Sequence, residues 1–288
     1  MIKRVMEELD FPCEAIEQLT EKFAELTASP VAKEKLHEAY DCLFGYKEGD
    51  YMALAKEMSE ITGIHDHTVE MLLLLGAADI LRYVYNAKGL PDKVWRDSMC
   101  DLRYKLFEYK KLSGLWGTNV GWWYKDFYTL KRFALGRLQF NKGRLKVNCG
   151  DLYKEGDTVL YCHIPSSGPL DIEEAKESFR MAREWFKNDF KDGIVPLACS
   201  SWLLYPDMTE KLPDKSNIKK FAALFDIYSS FADPANNNFW RVFYRDYSPE
   251  IMDEIKPAST LERVIVDMIK CGGSLGYGVG LIKDGILD

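Results

Sequence analysis

Residues 159–179, VLYCHIPSSGPLDIEEAKESF, pass from an apolar run through a Ser-Gly-Pro loop into a helical pattern. The run TVLYCHI reads as a strand. DIEEAKESFRMAREWFKNDF reads as a long amphipathic helix with Ile172, Ala175, Phe179, Ala182, Trp185 and Phe186 along one side. Strand, short loop and helix in that order offer an anion two attractions: backbone N–H groups in the loop and the positive end of the helix dipole. On that reading Ser166, Ser167 and Gly168 supply amides and two hydroxyls. A second reading needs no ligand, because Asp171 and Glu174 make a D-x-x-E capping box that uses the first-turn amides itself. Pro165 and Pro169 donate no amide hydrogen under either reading.

Before this unit, FALGRLQFNKGRLKVN gives two strand-like runs around Asn141-Lys142-Gly143, a hairpin signal. After it, IVPLACSSWLL predicts a strand, SNIKKFAALFDIYSSF a helix, FWRVFYRDY a strand, TLERVIVDMIK a helix and SLGYGVGLI a last strand. Residues before about 130 predict helix after helix instead. Apolar side chains such as Ala15, Ile16, Leu19, Phe23 and Leu26 recur at helical spacing, Gly45, Gly63 and Gly89 mark stops, and Asp66 suits an N-cap. The helix after Asp66 is apolar over so wide an arc that it belongs at the centre of a helical layer. The expected fold class is α+β: an all-helical N-terminal domain, residues 1–130, then a mixed β-sheet with flanking helices, residues 131–288.

A net charge of −7 over 288 residues gives no basic footprint for nucleic acid, so none is expected as a partner. The apolar run MLLLLGAA is far short of the roughly 20 residues of a bilayer span, and the chain's start turns acidic where a signal peptide would be apolar. No membrane partner and a cytoplasmic location are therefore expected. Seven cysteines without CxxC spacing fit reduced core thiols rather than a zinc site. His65 and His67, two apart on a helix, would point to different sides, so no metal is expected there. Trp116, Trp122 and Trp123 read as packing at the join of the two halves.

Four ordered segments carry a resemblance: LGRLQF (135–140), HIPSSGPL (163–170), SSWLL (200–204) and LPDKSNI (212–218). They resemble the GNAT-type N-acyltransferase superfamily, in particular a bacterial group with a helical N-terminal domain and a GNAT-like C-terminal domain. The resemblance implies a strand that diverges from its neighbour, with acetyl-CoA or another acyl-CoA entering the gap as co-substrate and no metal. It implies pyrophosphate on the loop after that strand, hence Ile164, Ser166, Ser167 and Gly168, with Ser200, Ser201 and Asn217 also touching the carrier. His163, at the end of the strand, is the candidate base for the acceptor, a small-molecule or peptide amine; the competing role is a structural histidine bonded to backbone. The superfamily loop usually reads Q/R-x-x-G-x-G/A, whereas a single glycine stands between prolines here. The N-x-x-A-x-x-x-Y helix that would supply a general acid keeps only Asn217, with Tyr228 one helical turn beyond the usual tyrosine position. The function implied is acyl-CoA-dependent N-acyl transfer; the alternative is a GNAT-derived CoA-binding or regulatory module without catalysis. Cys199, Ser200 and Ser201 lack a G-x-S-x-G elbow and are not expected as nucleophiles. In GGSLGYGVG a helix precedes and a strand follows, so its glycines are expected to end the one and to let the other approach a neighbour closely.

Overall fold

The computed structural model describes residues 2–287 and divides into two compact units, Met1–Ala134 and Leu135–Asp288. The first is helical: α1 (Ile2–Glu8), α2 (Cys13–Ala28), α3 (Pro30–Phe44), α4 (Tyr51–Thr62), α5 (Asp66–Ala87), α6 (Asp92–Ser113) and a short α7 (Lys125–Tyr128). Local chemistry sets the ends. The Ser29 hydroxyl accepts from the Ala32 amide ahead of Pro30, and Gly45 closes α3 in the left-handed region at φ 75°. At α5 the N-cap is His65 rather than the expected Asp66. The His67 amide donates to both His65 Nδ1 (3.3 Å) and Asp66 Oδ1 (2.8 Å), so both side chains share one donor and the helix starts a residue earlier. α5 packs against α1, α2, α3, α4 and α6, as its all-round apolar surface requires. Trp116 is buried and Trp122 exposed, while the Trp123 ring lies 3.6 Å from the Arg132 guanidinium.

The second unit is built on a six-stranded mixed sheet: β1 (Arg132–Leu135, which spans the division point), β2 (Leu138–Arg144), β3 (Thr158–His163), β4 (Leu197–Ser201), β5 (Phe225–Asp233) and β6 (Leu275–Ile282). Their spatial order is β1-β2-β3-β4-β6-β5. Helices α8 (Ile172–Phe186), α9 (Pro206–Thr209), α10 (Asn217–Ala222), α11 (Trp240–Phe243) and α12 (Thr260–Lys270) flank it. The fold is thus α+β. Phe140, Phe179, Phe221 and Phe225 join β2, α8, α10 and β5 in one aromatic core, with Phe179 centroids 5.8 Å from Phe140 and 6.0 Å from Phe225. Each buried phenylalanine stabilises by about 1.5–3 kcal/mol.

Three sequence expectations are corrected. The hairpin turns at Gly136-Arg137 rather than at Asn141-Lys142-Gly143, which lies inside β2. Gly143 is there for space: a Cβ on it would stand 2.7 Å from the Tyr161 ring on β3. The predicted helix over residues 216–231 ends at Ala222, and Phe225–Asp233 forms strand β5 instead. Its apolar residues fit a helical spacing, but burial along β5 alternates from Phe225 to Ser230, and hydrogen bonding to β6 wins. FWRVFYRDY, expected as a strand, makes the single turn α11 and irregular chain, because β5 already fills that edge. The reading of GGSLGYGVG holds: Gly272 ends α12 at φ 85°, and a Cβ on Gly278 would stand 2.2 Å from the Leu204 carbonyl oxygen.

Candidate active site

β3 and β4 are parallel neighbours, yet only Leu160↔Leu197, Tyr161↔Ala198 and Cys162↔Cys199 pair. Beyond them each strand keeps its other partner. His163 pairs with Gln139 of β2, and Ser200 and Ser201 pair with Val279 and Gly278 of β6. The two strands therefore part toward their C-terminal ends, and burial follows. On one face of β4, Ala198 is fully buried while Ser200, two residues further along this central strand, is exposed. Chain chemistry explains the divergence. Pro165 has no N–H to extend a ladder, and the Ser201 hydroxyl accepts from the Leu203 amide (3.2 Å), turning β4 into a single 3-10 turn. At the apex, burial first and the neighbouring Cys199 second push the Cys162 thiol well up, so it stays protonated and is not a nucleophile.

The loop after β3 is organised by Arg137, which stands at the β1–β2 turn. Its guanidinium donates to three loop carbonyls: Pro165 (2.9 Å), Gly168 (2.8 Å) and Pro169 (3.1 Å). A trans peptide points its N–H opposite to its carbonyl. The Pro165 carbonyl faces Arg137, so the Ser166 N–H is directed away from it. Gly168 holds φ 122°, a conformation that side chains rarely adopt. Asp171 caps α8, accepting from the Glu173 (2.9 Å) and Glu174 (3.0 Å) amides. The first turn of α8 is thus occupied by a carboxylate, and the donors left to an anion reading belong to the loop.

His163 Nε2 lies 2.5 Å from Asn141 Oδ1 on β2. Beside the loop, a cavity of about 450 Å³ is lined by Pro169, Leu170, Leu212, Lys215, Asn217 and Leu261, among others. The structure brings His163, Ile164, Ser166, Ser167 and Gly168 together on one chain segment, sets Ser200 and Ser201 on the parted neighbour, and puts Asn217 in the cavity wall. Tyr228 is elsewhere. The helix that was to carry it is β5, and β6 lies between β5 and β4. Tyr228 sits at a bulge on that edge strand, its ring against Gly150, with its hydroxyl pushed up by burial and then by Asp226. Arg137 and Asn141 were missed. Arg137 lies in a quoted segment, LGRLQF, but its partners are 28 to 32 residues away; Asn141 was absorbed into a supposed turn.

Residues 1–130 match the model of the N-acyltransferase N-terminal domain, and residues 132–282 that of the GNAT-like C-terminal domain. No curated protein matches the sequence. Among solved structures, an acyltransferase in complex with decanoyl-CoA and teicoplanin superposes with a TM-score of 0.71 at 22% identity, covering 97% of this chain and 86% of that one. A mutant acyltransferase in complex with octanoyl-CoA gives 0.73 at 21% identity with the same coverage. At such identities the likeness is one of fold. No helix among the described residues is long and apolar enough to cross a membrane.

Proposed function

The chain belongs to the GNAT-like C-terminal domain family, preceded by an N-acyltransferase N-terminal domain, and on that premise we propose that it moves an acyl group from acyl-CoA to the amine of a small molecule. The observation that carries this reading is the parting of β3 from β4 beyond Cys162↔Cys199. The Leu160 N–H donates across to the Pro196 carbonyl (2.9 Å), and strand alternation places every second residue alike. Continued past β3, that alternation aims Ile164 at the gap, where its N–H would meet a thioester oxygen. The loop at Ser166, Ser167 and Gly168 would hold the diphosphate, and the cavity with Lys215, Ser216 and Asn217 the nucleotide end. Ser200 and Ser201 would line the pantetheine arm.

Chemistry follows direct transfer. The acceptor ammonium gives a proton to His163, its nitrogen bonds to the thioester carbon, and the oxyanion that forms meets main-chain N–H groups. The C–S bond then breaks, and CoA leaves as the thiol with the amine's second proton. Relatives of this fold solved with octanoyl- and decanoyl-CoA support a medium-length acyl chain over acetyl, and one solved with teicoplanin supports a small-molecule acceptor. The cytoplasm and a bacterial source remain part of the proposal.

The test has two arms. Melting temperature is followed with acetyl-, octanoyl- and decanoyl-CoA; a ligand at 100 times its Kd stabilises by about 2.7 kcal/mol, and no shift with any of them overturns the reading. Thiol release is then followed with a panel of small amines. Acyl-CoA binding without amine-dependent release would leave a CoA-binding module in place of an enzyme.

A further inference from the structure

The cavity beside the loop is largely apolar, with Leu170, Leu212 and Leu261 in its wall. Among the described residues that line it, Lys215 alone carries a charge. Pro169 and Leu170 belong both to that wall and to the loop after β3. A diphosphate resting on Ser166, Ser167 and Gly168 therefore delivers the adjoining ribose to the cavity. The chain around Lys215 is locally basic. Residues 211–220, KLPDKSNIKK, hold four lysines and one aspartate in a protein of net charge −7. Two of the other lysines are engaged. Lys219 donates to Asp214 (2.8 Å) and to the Leu212 carbonyl (3.1 Å), and Lys211 donates to the Asp207 carbonyl (2.7 Å). Lys220 does not line the cavity. Lys215 has no hydrogen-bond or ion-pair partner among the described residues, and the nearby charge of Asp214 is already taken by Lys219. An apolar slot with one free ammonium at its edge suits a base whose ribose carries a phosphate monoester, which lysine binds as a point charge.

We infer that Lys215 pairs with the 3′-phosphate of CoA and is the residue by which this site tells CoA from carriers that lack that group. The inference rests on the acyltransferase reading and deepens it by naming what the site demands of its acyl carrier. Dephospho-CoA has a hydroxyl in place of the monoester, and a phosphopantetheine arm has no nucleotide at all, so neither offers Lys215 its partner.

The experiment is calorimetry of the full-length protein with CoA, dephospho-CoA and phosphopantetheine, in the absence of any amine. The wild type should bind CoA about 5-fold tighter than dephospho-CoA, the upper range for an exposed ion pair. Lys215→Ala should remove that preference by weakening CoA alone, with dephospho-CoA and phosphopantetheine left within a factor of two. Ligand and protein changes then form a cycle that isolates the one contact. Lys215→Arg should keep the preference, and Lys215→Glu should invert it. The wild-type preference should also shrink as salt is raised, because the pair is at the surface. Lys215 is exposed, so these variants keep the fold. Equal wild-type affinity for CoA and dephospho-CoA overturns the inference. So does a Lys215→Ala protein that loses affinity for both alike, which would put the lysine on the diphosphate. If neither CoA nor acyl-CoA binds, the acyltransferase reading itself fails and the inference falls with it, an outcome distinct from either of those two.

Discussion

β3 has two neighbours in the sheet and treats them differently. Its ladder with β2 is antiparallel and runs from Arg144↔Thr158 to Gln139↔His163, six successive pairs. Its ladder with β4 is parallel and stops after three. Val159 of β3 and Ala198 of β4 are buried in one cluster with Leu145 and Leu281, so apolar packing alone does not open the second. What differs is at the ends: β2 runs straight on from its turn at Arg137, whereas β3 and β4 lead into a proline loop and a 3-10 turn. The opened edge is partly exposed, with Ser200 open to solvent, so water or a ligand can take the hydrogen bonds that β3 and β4 do not make to each other. An edge opened in the middle of a sheet is therefore a place prepared for something else to bond.

That contrast can be broken in several ways. The severest is Phe179→Ala, which removes the ring that packs on Phe140, Phe221 and Phe225. A loss of about 3–5 kcal/mol in chemical denaturation is expected; a much smaller loss would mean that the ring does not tie α8 to β2 and β5. His163→Gln acts on the gap alone. A kcat about 100-fold lower is expected, with acyl-CoA affinity measured by calorimetry left within a factor of two. Arg137→Ala frees three loop carbonyls, and decanoyl-CoA binding should weaken about 10-fold, or about 1.4 kcal/mol. Arg137→Lys should not restore it, because a compact ammonium does not reproduce the planar fork that reaches the three carbonyls. The mildest is Asp171→Asn. It keeps an oxygen to cap α8 but removes a negative charge next to the proposed diphosphate, so CoA should bind a few-fold tighter, by about 0.3–1 kcal/mol. Unchanged binding would place the diphosphate away from the start of α8.

The helical unit and the sheet unit differ in how far they could be read in advance. Helices α2 to α6 follow from local causes: apolar residues at i, i+3 and i+4, a proline at the start of α2, α3 and α6, an aspartate at that of α4, and a glycine at the stop of α3, α4 and α6. α5 disclosed even its central place, because a helix apolar all round has to be covered all round. β3, α8, α12 and β6 were legible for the same reason. β5 was not, since Ile218, Phe221, Phe225 and Tyr228 satisfy a helical spacing and only the neighbouring β6 settles which hydrogen bonds form. Asn141-Lys142-Gly143 has turn-forming composition, and the Tyr161 ring on another strand is what gives Gly143 its actual use.

The candidate site divides along the same line. The amino-acid sequence by itself determined the strand-loop-helix unit at 159–179, the amide-poor character of a loop flanked by prolines, and the cap at Asp171, because each depends on residues within a few positions of one another. Tertiary structure alone decided that β3 and β4 part, that Arg137 gathers the loop carbonyls, that Asn141 meets His163 and that Tyr228 is on the far edge of the sheet. Those facts depend on which segments become neighbours, and neighbours across a sheet are chosen by the packing of the whole unit, not by any one stretch of chain.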